Sequence, residues 1–264
     1  IRDRSCQITV GCIDCVTVKD KLKPTISYSL QPDTGADYIA EDAVYNANGT
    51  TARVWERGKI LGNLNLKLLG RHNLCNALAA VVVGRYLGLE FPVIAKAIAN
   101  FEGARRRFEN RGEINGIRFI DDYAHHPSEI SATLAAARIQ AKELENSSQG
   151  RVVAIFQPHR YSRTQAFLSE FGQCFQNADL VVLTDIYSAG EKNLGQISGI
   201  QLAQTIATHH PQVNYLPTLG SVCQFLIETL RPGDIALFLG AGNLNQVIPE
   251  TIAYYENAAG SLHK

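Results

Sequence analysis

Methionine is absent from the 264 residues, and tryptophan occurs only once. Without an initiator methionine, we expect either a piece of a longer protein or a sequence from which modified methionines have been omitted. Charge of one sign is not in excess, because 25 basic residues balance 25 acidic ones and charged residues make up 19% of the chain. This balance argues against intrinsic disorder and against a surface built to bind nucleic acid.

Long hydrophobic runs and abundant cysteine are also lacking. No apolar stretch approaches the roughly 20 residues that a membrane-spanning helix needs, and the first residues, IRDRSCQITV, do not have the pattern of a signal peptide. Six cysteines are too few for a disulfide scaffold in a chain of this length. The sequence therefore predicts a cytoplasmic protein with reduced thiols and no membrane partner.

The length and the texture of the sequence predict two domains. Residues 1–70 are rich in short period-2 alternations, such as 25–30 and 63–68, which are typical of β-strands joined by turns. Apolar residues at helical spacing follow in 73–87 and 91–101. Because the texture changes near residues 110–115, we expect one domain over 1–111 and a second over 112–264.

From Gly116 onward, short apolar runs alternate with segments of helical periodicity. Such alternation predicts an α/β fold, with right-handed βαβ crossovers and a mostly parallel sheet covered by helices on both faces. The expected strands are 117–120, 152–156, 180–184, 213–216 and 235–239. The expected helices are 128–144, 163–175, 200–208, 219–230 and 243–254.

Ligands of parallel α/β sheets bind at the carboxyl ends of the strands. We therefore expect a functional site in the segments that directly follow apolar runs, namely 121–127, 157–164, 185–191 and 240–243. The last segment, GAGN, resembles part of a dinucleotide-binding fingerprint, but the third glycine and the acid about 20 residues downstream are absent. A plain strand-to-helix turn is the better interpretation.

Two polar clusters have open interpretations, one at a strand-to-helix junction and the other close to the proposed domain junction. Asn73 and Asn76 lie three residues apart, and carboxamides there either cap a helix or pair with the edge of an adenine. Arg105, Arg106 and Arg107 form either a solvated basic surface or an anion clamp between domains. Residue types alone leave both choices open.

The strongest functional pattern is DDYAHHP, residues 121–127, which follows a buried strand. An acid at a strand end can accept hydrogen bonds from a ribose, and a histidine can orient or deprotonate a nucleophile. A metal site is disfavoured, because no HxxxH, HExxH or CxxC…CxxC spacing occurs.

A second pattern, FQPHRYSRT, spans residues 156–164 and also follows a strand. Arg160 and Arg163 are three residues apart where a helix begins, so their guanidinium groups could close on one carboxylate. The alternative is ordinary polar decoration of a helix N-terminus.

Six blocks in order, GRHNLCNALAA, GARRRFE, DDYAHHPSE, FQPHRYSRT, TDIYSAGE and LGAGN, resemble the Mur ligases. The resemblance extends from about Gly70 to the C-terminus, and residues 1–69 match only loosely. It implies that residues 1–111 are the remainder of a central ATPase domain and that 112–264 are a Rossmann-like C-terminal domain. It also implies a fragment, because the sequence contains no GxxxxGK[ST] loop for the ATP phosphates.

The resemblance implies a nucleotide site. His72, Asn73 and Asn76 are expected to contact the adenine of ATP. Arg107 is expected at the ribose-phosphate, and Asp122 is expected to accept hydrogen bonds from the ribose hydroxyls. The main ligands of the accompanying Mg²⁺ are expected upstream of this chain.

The doubled histidine and FQPHRYSRT resemble most closely the family members that join L-alanine to UDP-N-acetylmuramate. Tyr123 and His126 are then expected to shape the alanine pocket, and Arg160 and Arg163 to bind the alanine carboxylate. The expected partners are therefore small molecules, with no nucleic acid and no membrane among them.

Three other functions stay open on the sequence alone. One is a muramoyl-peptide ligase of the same family, whose longer substrate fits FQPHRYSRT less well. Another is a non-catalytic module that binds a nucleotide or an amino acid. The third, a dinucleotide-dependent oxidoreductase, rests only on residues 240–243.

Overall fold

A computed structural model of the chain describes residues 8–46, 48–143, 150–192, 195 and 197–261. It divides into two units, Ile1–Glu102 and Gly103–Lys264. The second unit thus begins before the predicted boundary at residue 111. Residues 103–111 belong to it because Arg106 forms an ion pair with Asp121 and because Glu109 begins a strand of its sheet.

The first unit is built on a mixed five-stranded sheet. Its strands, in the order in which they lie side by side, are β1 (Val10–Cys12), β2 (Ile26–Ser29), β3 (Tyr38–Asn46), β4 (Gly49–Glu56) and β5 (Lys59–Leu66). The first three run parallel, and β3, β4 and β5 are antiparallel neighbours. Strands β2 and β5 confirm the predicted alternations at 25–30 and 63–68.

Two helices of the first unit, α1 (Arg71–Tyr86) and α2 (Phe91–Asn100), confirm the predicted helical segments. A π-helical turn, Val18–Leu22, lies between β1 and β2. Helix α1 buries Leu74, Leu78 and other apolar residues at helical spacing in the core of this unit. Each such leucine contributes roughly 1.5–3 kcal/mol when it is fully buried.

The second unit contains a six-stranded sheet in the order β10-β9-β8-β11-β7-β6. The strands are β6 (Glu109–Ile114), β7 (Ile117–Asp122), β8 (Val152–Phe156), β9 (Leu180–Leu183), β10 (Val213–Tyr215) and β11 (Ile235–Leu239). All neighbours are parallel except β6 and β7, which confirms the predicted mostly parallel sheet. The sequence pattern missed β6, because its segment ENRGEI has a single large apolar residue.

Helices cover both faces of this sheet, as predicted. They are α3 (Pro127–Glu143), α4 (Tyr161–Ala166), α5 (Leu168–Gln173), α6 (Gly199–Ala207), α7 (Leu219–Thr229) and α8 (Val247–Ser261), with a 3₁₀ turn, Leu244–Gln246, before α8. Apolar residues of α3, α5 and α6 join one core cluster, and those of α7 and α8 join the other. Leu144, the predicted end of the first helix, lies outside the described residues.

The single helix predicted over 163–175 is wrong. The structure has two short helices there, because the backbone of Phe167 leaves helical geometry with φ −116° and ψ 25°.

The register of the sheet aligns the carboxyl ends of four strands. Leu239 of β11 pairs with Asp122 of β7 on one side and with Phe156 of β8 on the other. Phe156 in turn pairs with Leu183 of β9. The segments that follow these residues therefore leave the sheet side by side.

Candidate active site

The four segments predicted to form a site meet at this edge of the second sheet. The Gln157 Nε2 group donates to Asn243 Oδ1 at 3.0 Å, which joins the segments after β8 and β11. The amide of Arg160 donates to the carbonyl of Tyr187 at 2.8 Å, which joins those after β8 and β9. Because the His125 and His159 rings lie 6.0 Å apart, the segment after β7 belongs to the same cluster.

Gln157 explains the glycines of the GAGN turn. Its buried Oε1 accepts the amide of Leu244 at 3.1 Å. A Cβ at Gly242 would lie 2.2 Å from this oxygen, and one at Gly240 would lie 2.7 Å from the Gln157 carbonyl. Close packing on Gln157 thus accounts for both glycines, in agreement with the strand-to-helix interpretation.

Arg106 connects three segments beneath the site. Its Nε donates to both oxygens of the buried Asp121 carboxylate, at 3.3 and 3.2 Å. Its Nη2 donates to the carbonyl of Gly240 at 2.6 Å, and its Nη1 to that of Gly242 at 3.3 Å. Burial raises the pKa of Asp121, while the charges of Arg106 and Arg111 oppose that rise. Arg106 is therefore an internal clamp, by which we mean that its guanidinium group ties Asp121 at the end of β7 to the carbonyls of Gly240 and Gly242 after β11.

Asp122 is anchored by the backbone on two sides. Its Oδ2 accepts the amide of Phe108 and its Oδ1 that of Ala124, both at 2.7 Å. Burial raises the pKa of Asp122, although these two hydrogen bonds and the charge of Arg107 act in the opposite direction. The side chain is 5% exposed, so Asp122 fixes the local backbone whatever else it binds.

Tyr123 lies against two of the three adjacent arginines. The guanidinium carbons of Arg106 and Arg107 are 5.3 and 5.6 Å from the centre of its ring. Both distances fall within the range of a cation–π interaction. Arg107 is exposed, unlike Arg106, so Arg107 is the arginine of this pair that can meet a ligand.

The two adjacent histidines point to different neighbours. The ring of His125 packs edge-on against Tyr123 at 5.3 Å, and its Nδ1 bonds the Tyr123 carbonyl at 2.9 Å. The ring of His126 instead packs against Phe167 at 4.5 Å, and its Nδ1 bonds Ser128 Oγ at 2.9 Å. His125 thus joins the cluster that contains Tyr123 and His159, whereas the sequence interpretation favoured His126.

Glu129 holds the backbone of both histidines. Its Oε2 accepts the amides of His125 and His126, at 3.0 and 3.3 Å. Burial raises the pKa of Glu129, but these amides and the nearby His125 and Arg107 charges outweigh it and lower the pKa overall. The carboxylate therefore stays ionised where α3 begins, which favours its contact with the positive end of the helix.

Arg160 and Arg163 lie at the beginning of α4, as predicted. Arg160 is exposed and has a left-handed backbone, with φ 72°. Arg163 is half-buried, and its Nη1 lies 3.2 Å from His159 Nδ1. Glu191 binds the first turn of α4, because its carboxylate accepts hydrogen bonds from the Ser162 amide at 3.0 Å and from the Ser162 hydroxyl at 2.6 Å.

The roles of Gln157, His159, Tyr187 and Glu191 escaped the sequence interpretation. All four lie in segments that the strand-end rule selected, which was the signal that could have found them.

The residues expected at adenine lie in the first unit, on the first turns of α1. Gly70, with φ 87°, precedes the helix, so Asn73 is not its N-cap. Asn73 Nδ2 instead donates back to the carbonyl of Leu69 at 2.8 Å. His72 is half-buried, and Asn76 is exposed one turn after Asn73. The Asn76 carboxamide is thus open to solvent, with both a donor and an acceptor.

The described residues provide neither a metal cluster nor a membrane-spanning helix, and five of their cysteines are free thiols. Across the described part of the chain, no group of three or more His, Cys, Asp or Glu side chains could hold a metal ion. No helix among the described residues is long and apolar enough to cross a membrane. Cys12, Cys15, Cys75, Cys174 and Cys223 are free thiols.

Relatives that match nearly the whole chain are UDP-N-acetylmuramate–L-alanine ligases. The one from Nostoc punctiforme is 69% identical over 252 residues, which cover 96% of this chain and 51% of that protein. The one from Microcystis aeruginosa is 59% identical over 250 residues, which cover 95% of this chain and 52% of the relative. The chain thus spans about half the length of the curated relatives it matches.

Solved structures share the fold. The UDP-N-acetylmuramate–alanine ligase of Thermotoga maritima superposes with a TM-score of 0.77 at 24% identity, over 97% of this chain and 53% of that one. A MurF ligase of the same organism, crystallised in complex with ADP, gives a TM-score of 0.66 at 18% identity, over 94% and 54%. At such identities, the superpositions speak for the fold alone.

The family model for the Mur ligase, glutamate ligase domain matches residues 106–242, which are 137 of the 264 residues. That range begins at Arg106 and ends at Gly242, so it contains the segments after β7, β8 and β9 and most of the turn after β11. The chain belongs to the Mur ligase family.

Proposed function

We propose that this chain supplies the amino-acid-binding part, and some of the nucleotide-binding part, of an ATP-dependent ligase that joins L-alanine to the lactyl carboxylate of UDP-N-acetylmuramate. One observation carries the proposal. Arg160 and Arg163 stand where the segment after β8 enters α4, and Arg163 Nη1 lies 3.2 Å from the ring of His159, which in turn lies 6.0 Å from the ring of His125. Relatives with that activity in their names are 57–69% identical over nearly all of the chain.

The two arginines suit a small amino acid. A guanidinium group presents several N–H donors in a fixed plane and forms charge-assisted hydrogen bonds with a carboxylate. Arg160 is exposed and Arg163 is half-buried, so the pair can meet a ligand that enters from solvent. Tyr123, His125 and His126 are proposed to line the space for its side chain, with His125 closer than His126 to the Tyr123 and His159 rings.

The proposed reaction requires activation of the lactyl carboxylate, which ATP supplies by forming an acyl phosphate and releasing ADP. The amine of L-alanine then attacks the carbonyl carbon, a C–N bond forms, and the C–O bond to phosphate breaks as the amine loses a proton. The arginines act by fixing the alanine carboxylate, so that the amine is held near the carbonyl. Such positioning can account for several kcal/mol of the barrier.

In the first unit, His72, Asn73 and Asn76 are proposed to contact an adenine base. In the second unit, Arg107 is proposed to contact a ribose-phosphate. The exposed Asn76 carboxamide and the exposed Arg107 guanidinium fit those ligands. Asp122 is proposed to accept from a ribose hydroxyl with the lone pairs that its two backbone bonds leave over.

The test is phosphate release by the full-length enzyme that carries this chain, with each substrate omitted in turn. We expect turnover only when ATP, UDP-N-acetylmuramate and L-alanine are all present. Arg163→Ala should lower kcat/KM for L-alanine. The control is Arg231→Ala, which should leave kcat/KM unchanged, because Arg231 is exposed and precedes the amino end of β11, whereas Arg163 follows the carboxyl end of β8. Turnover with a peptide but not with L-alanine would contradict the proposal.

A further inference from the structure

His159 occupies a position between Arg163 and the segment after β9. Arg163 Nη1 lies 3.2 Å from His159 Nδ1 and 3.4 Å from the His159 carbonyl, so one guanidinium nitrogen meets two acceptors of the same residue. The imidazole stacks on the ring of Tyr187, with centroids 5.7 Å apart and planes 16° apart. An isolated parallel β-bridge between His159 and Tyr187, beyond the ends of β8 and β9, fixes the backbone at this point.

The contact with Arg163 indicates which tautomer the ring adopts. Arginine has only donors, so Nδ1 of His159 must accept and the proton must reside on Nε2. Burial lowers the pKa of His159, and the charges of Arg163, His125 and Arg160 lower it further, with Glu191 acting in the opposite direction. The imidazole is therefore neutral near pH 7.

We propose that His159 is a positioning residue, which aims the Arg163 guanidinium at the carboxylate of the amino-acid substrate by accepting its N–H at Nδ1. This inference rests on the function proposed above, in which Arg163 binds that carboxylate. His159 does not touch the substrate in this account. It removes rotational freedom from a long side chain before the substrate arrives, which is how pre-organisation improves affinity.

The proposal implies a dependence on pH. Protonation of Nδ1 would replace the acceptor with a donor and place a second cation beside Arg163. The groups that face the ring are Arg160 and Arg163 from its own segment, His125 from the segment after β7, and Tyr187 and Glu191 from that after β9. Only Glu191 among them favours the protonated ring, so acidification should weaken the binding of the amino acid.

The experiment compares two substitutions in the full-length enzyme. In His159→Asn, the Oδ1 atom can take the place of Nδ1 as an acceptor that does not titrate. In His159→Leu, the acceptor is lost while much of the volume is kept. We expect His159→Leu to raise KM for L-alanine by about 5- to 20-fold with KM for ATP unchanged, and His159→Asn to stay within about threefold of the parent.

Two further measurements separate positioning from stability. On acidification, kcat/KM for L-alanine should fall less steeply in His159→Asn than in the parent. The control His209→Asn, which changes an exposed histidine just after α6, should behave like the parent. In the 264-residue chain, ¹⁵N spectra of the His159 ring should show an unprotonated Nδ1 and a protonated Nε2. That spectroscopic readout does not depend on catalysis.

Several results would overturn the inference. One is an equal effect of His159→Asn and His159→Leu on KM for L-alanine. Another is a fall of kcat/KM on acidification that is as steep in His159→Asn as in the parent. The third is a His159 ring protonated on Nδ1. Arg163→Ala distinguishes this failure from that of the proposed function. If Arg163→Ala leaves KM for L-alanine unchanged, the function itself is wrong; if it raises KM while His159→Leu does not, only the positioning role of His159 is wrong.

Discussion

Replacing the internal arginine of the RRR segment tests whether Arg106 is a clamp. Arg106→Met keeps most of the aliphatic side chain and removes the guanidinium group, which donates hydrogen bonds to Asp121, Gly240 and Gly242. Both residues have a Cβ, so the left-handed backbone, with φ 56°, is strained equally before and after the change. The neighbouring Arg105, which is exposed, provides a matched control as Arg105→Met.

The expected magnitude follows from the burial of Asp121, whose side chain is 1% exposed. Removing one partner of a buried ion pair costs about 3–5 kcal/mol, because the other charge stays buried without compensation. Arg111 Nη1 lies 3.6 Å from the same carboxylate and compensates in part. We therefore expect a loss of about 3 kcal/mol in the free energy of unfolding of the second unit, against less than about 0.5 kcal/mol for Arg105→Met.

Urea denaturation with two probes measures this loss. Trp55, the only tryptophan, lies in β4, so its fluorescence reports the first unit, while far-UV circular dichroism reports both. In Arg106→Met, the dichroism transition should move to lower urea and the fluorescence transition should not. Equal shifts in Arg106→Met and Arg105→Met would refute the clamp.

The pH dependence of the loss has a definite sign. Burial already raises the pKa of Asp121, and removal of Arg106 takes away a charge that opposes the rise. An acid whose pKa is raised in the folded state favours folding at pH values below its unfolded pKa and loses that contribution as the pH rises through the folded value. The deficit of Arg106→Met should thus shrink as the pH falls from neutrality and Asp121 takes up its proton.

Three other outcomes are expected. The 264-residue chain alone should release no phosphate from ATP, because it contains no GxxxxGK[ST] motif, and release that scales with protein concentration would contradict this. In the full-length enzyme, Arg160→Ala should raise KM for L-alanine by roughly 10- to 150-fold and KM for ATP little, as steady-state kinetics would show; equal increases would mean that Arg160 supports the fold. Asp122→Asn should lower the free energy of unfolding by about 1–3 kcal/mol in urea titrations, because its new amide group must oppose the N–H of Phe108 or Ala124; an unchanged stability would mean that these hydrogen bonds do not anchor the loop.

That the segments of the candidate site lie together could be predicted from the sequence, because apolar runs mark buried strands and the carboxyl ends of parallel strands lie along one side of a sheet. Asp121, Gln157 and Gly240 each follow or end such a run, and the structure brings their segments together. The alternation of strands and helices, and hence the two covered faces, follows from the same pattern.

The choice between adjacent residues could not be predicted. Arg106 and Arg107 are the same residue type, and the left-handed backbone of Arg106, which no composition reveals, decides which one turns inward. His125 and His126 are likewise adjacent residues of the same type. The ring of His125 nevertheless lies near His159, and that of His126 packs against Phe167. The break at Phe167 escaped notice because the residues on both sides have helical periodicity.

The position of β11 has a consequence for synthesis of the protein. This strand lies between β7 and β8, yet it is the last of the described strands, and Ile235 pairs with Arg118 and Val152, both far upstream. The ribosome must therefore complete nearly the whole second unit before β7 and β8 gain their shared neighbour. Until then, the backbone edges of β7 and β8 that face β11 stay unpaired and open to aggregation or to chaperones, and pairings of such long sequence separation form slowly.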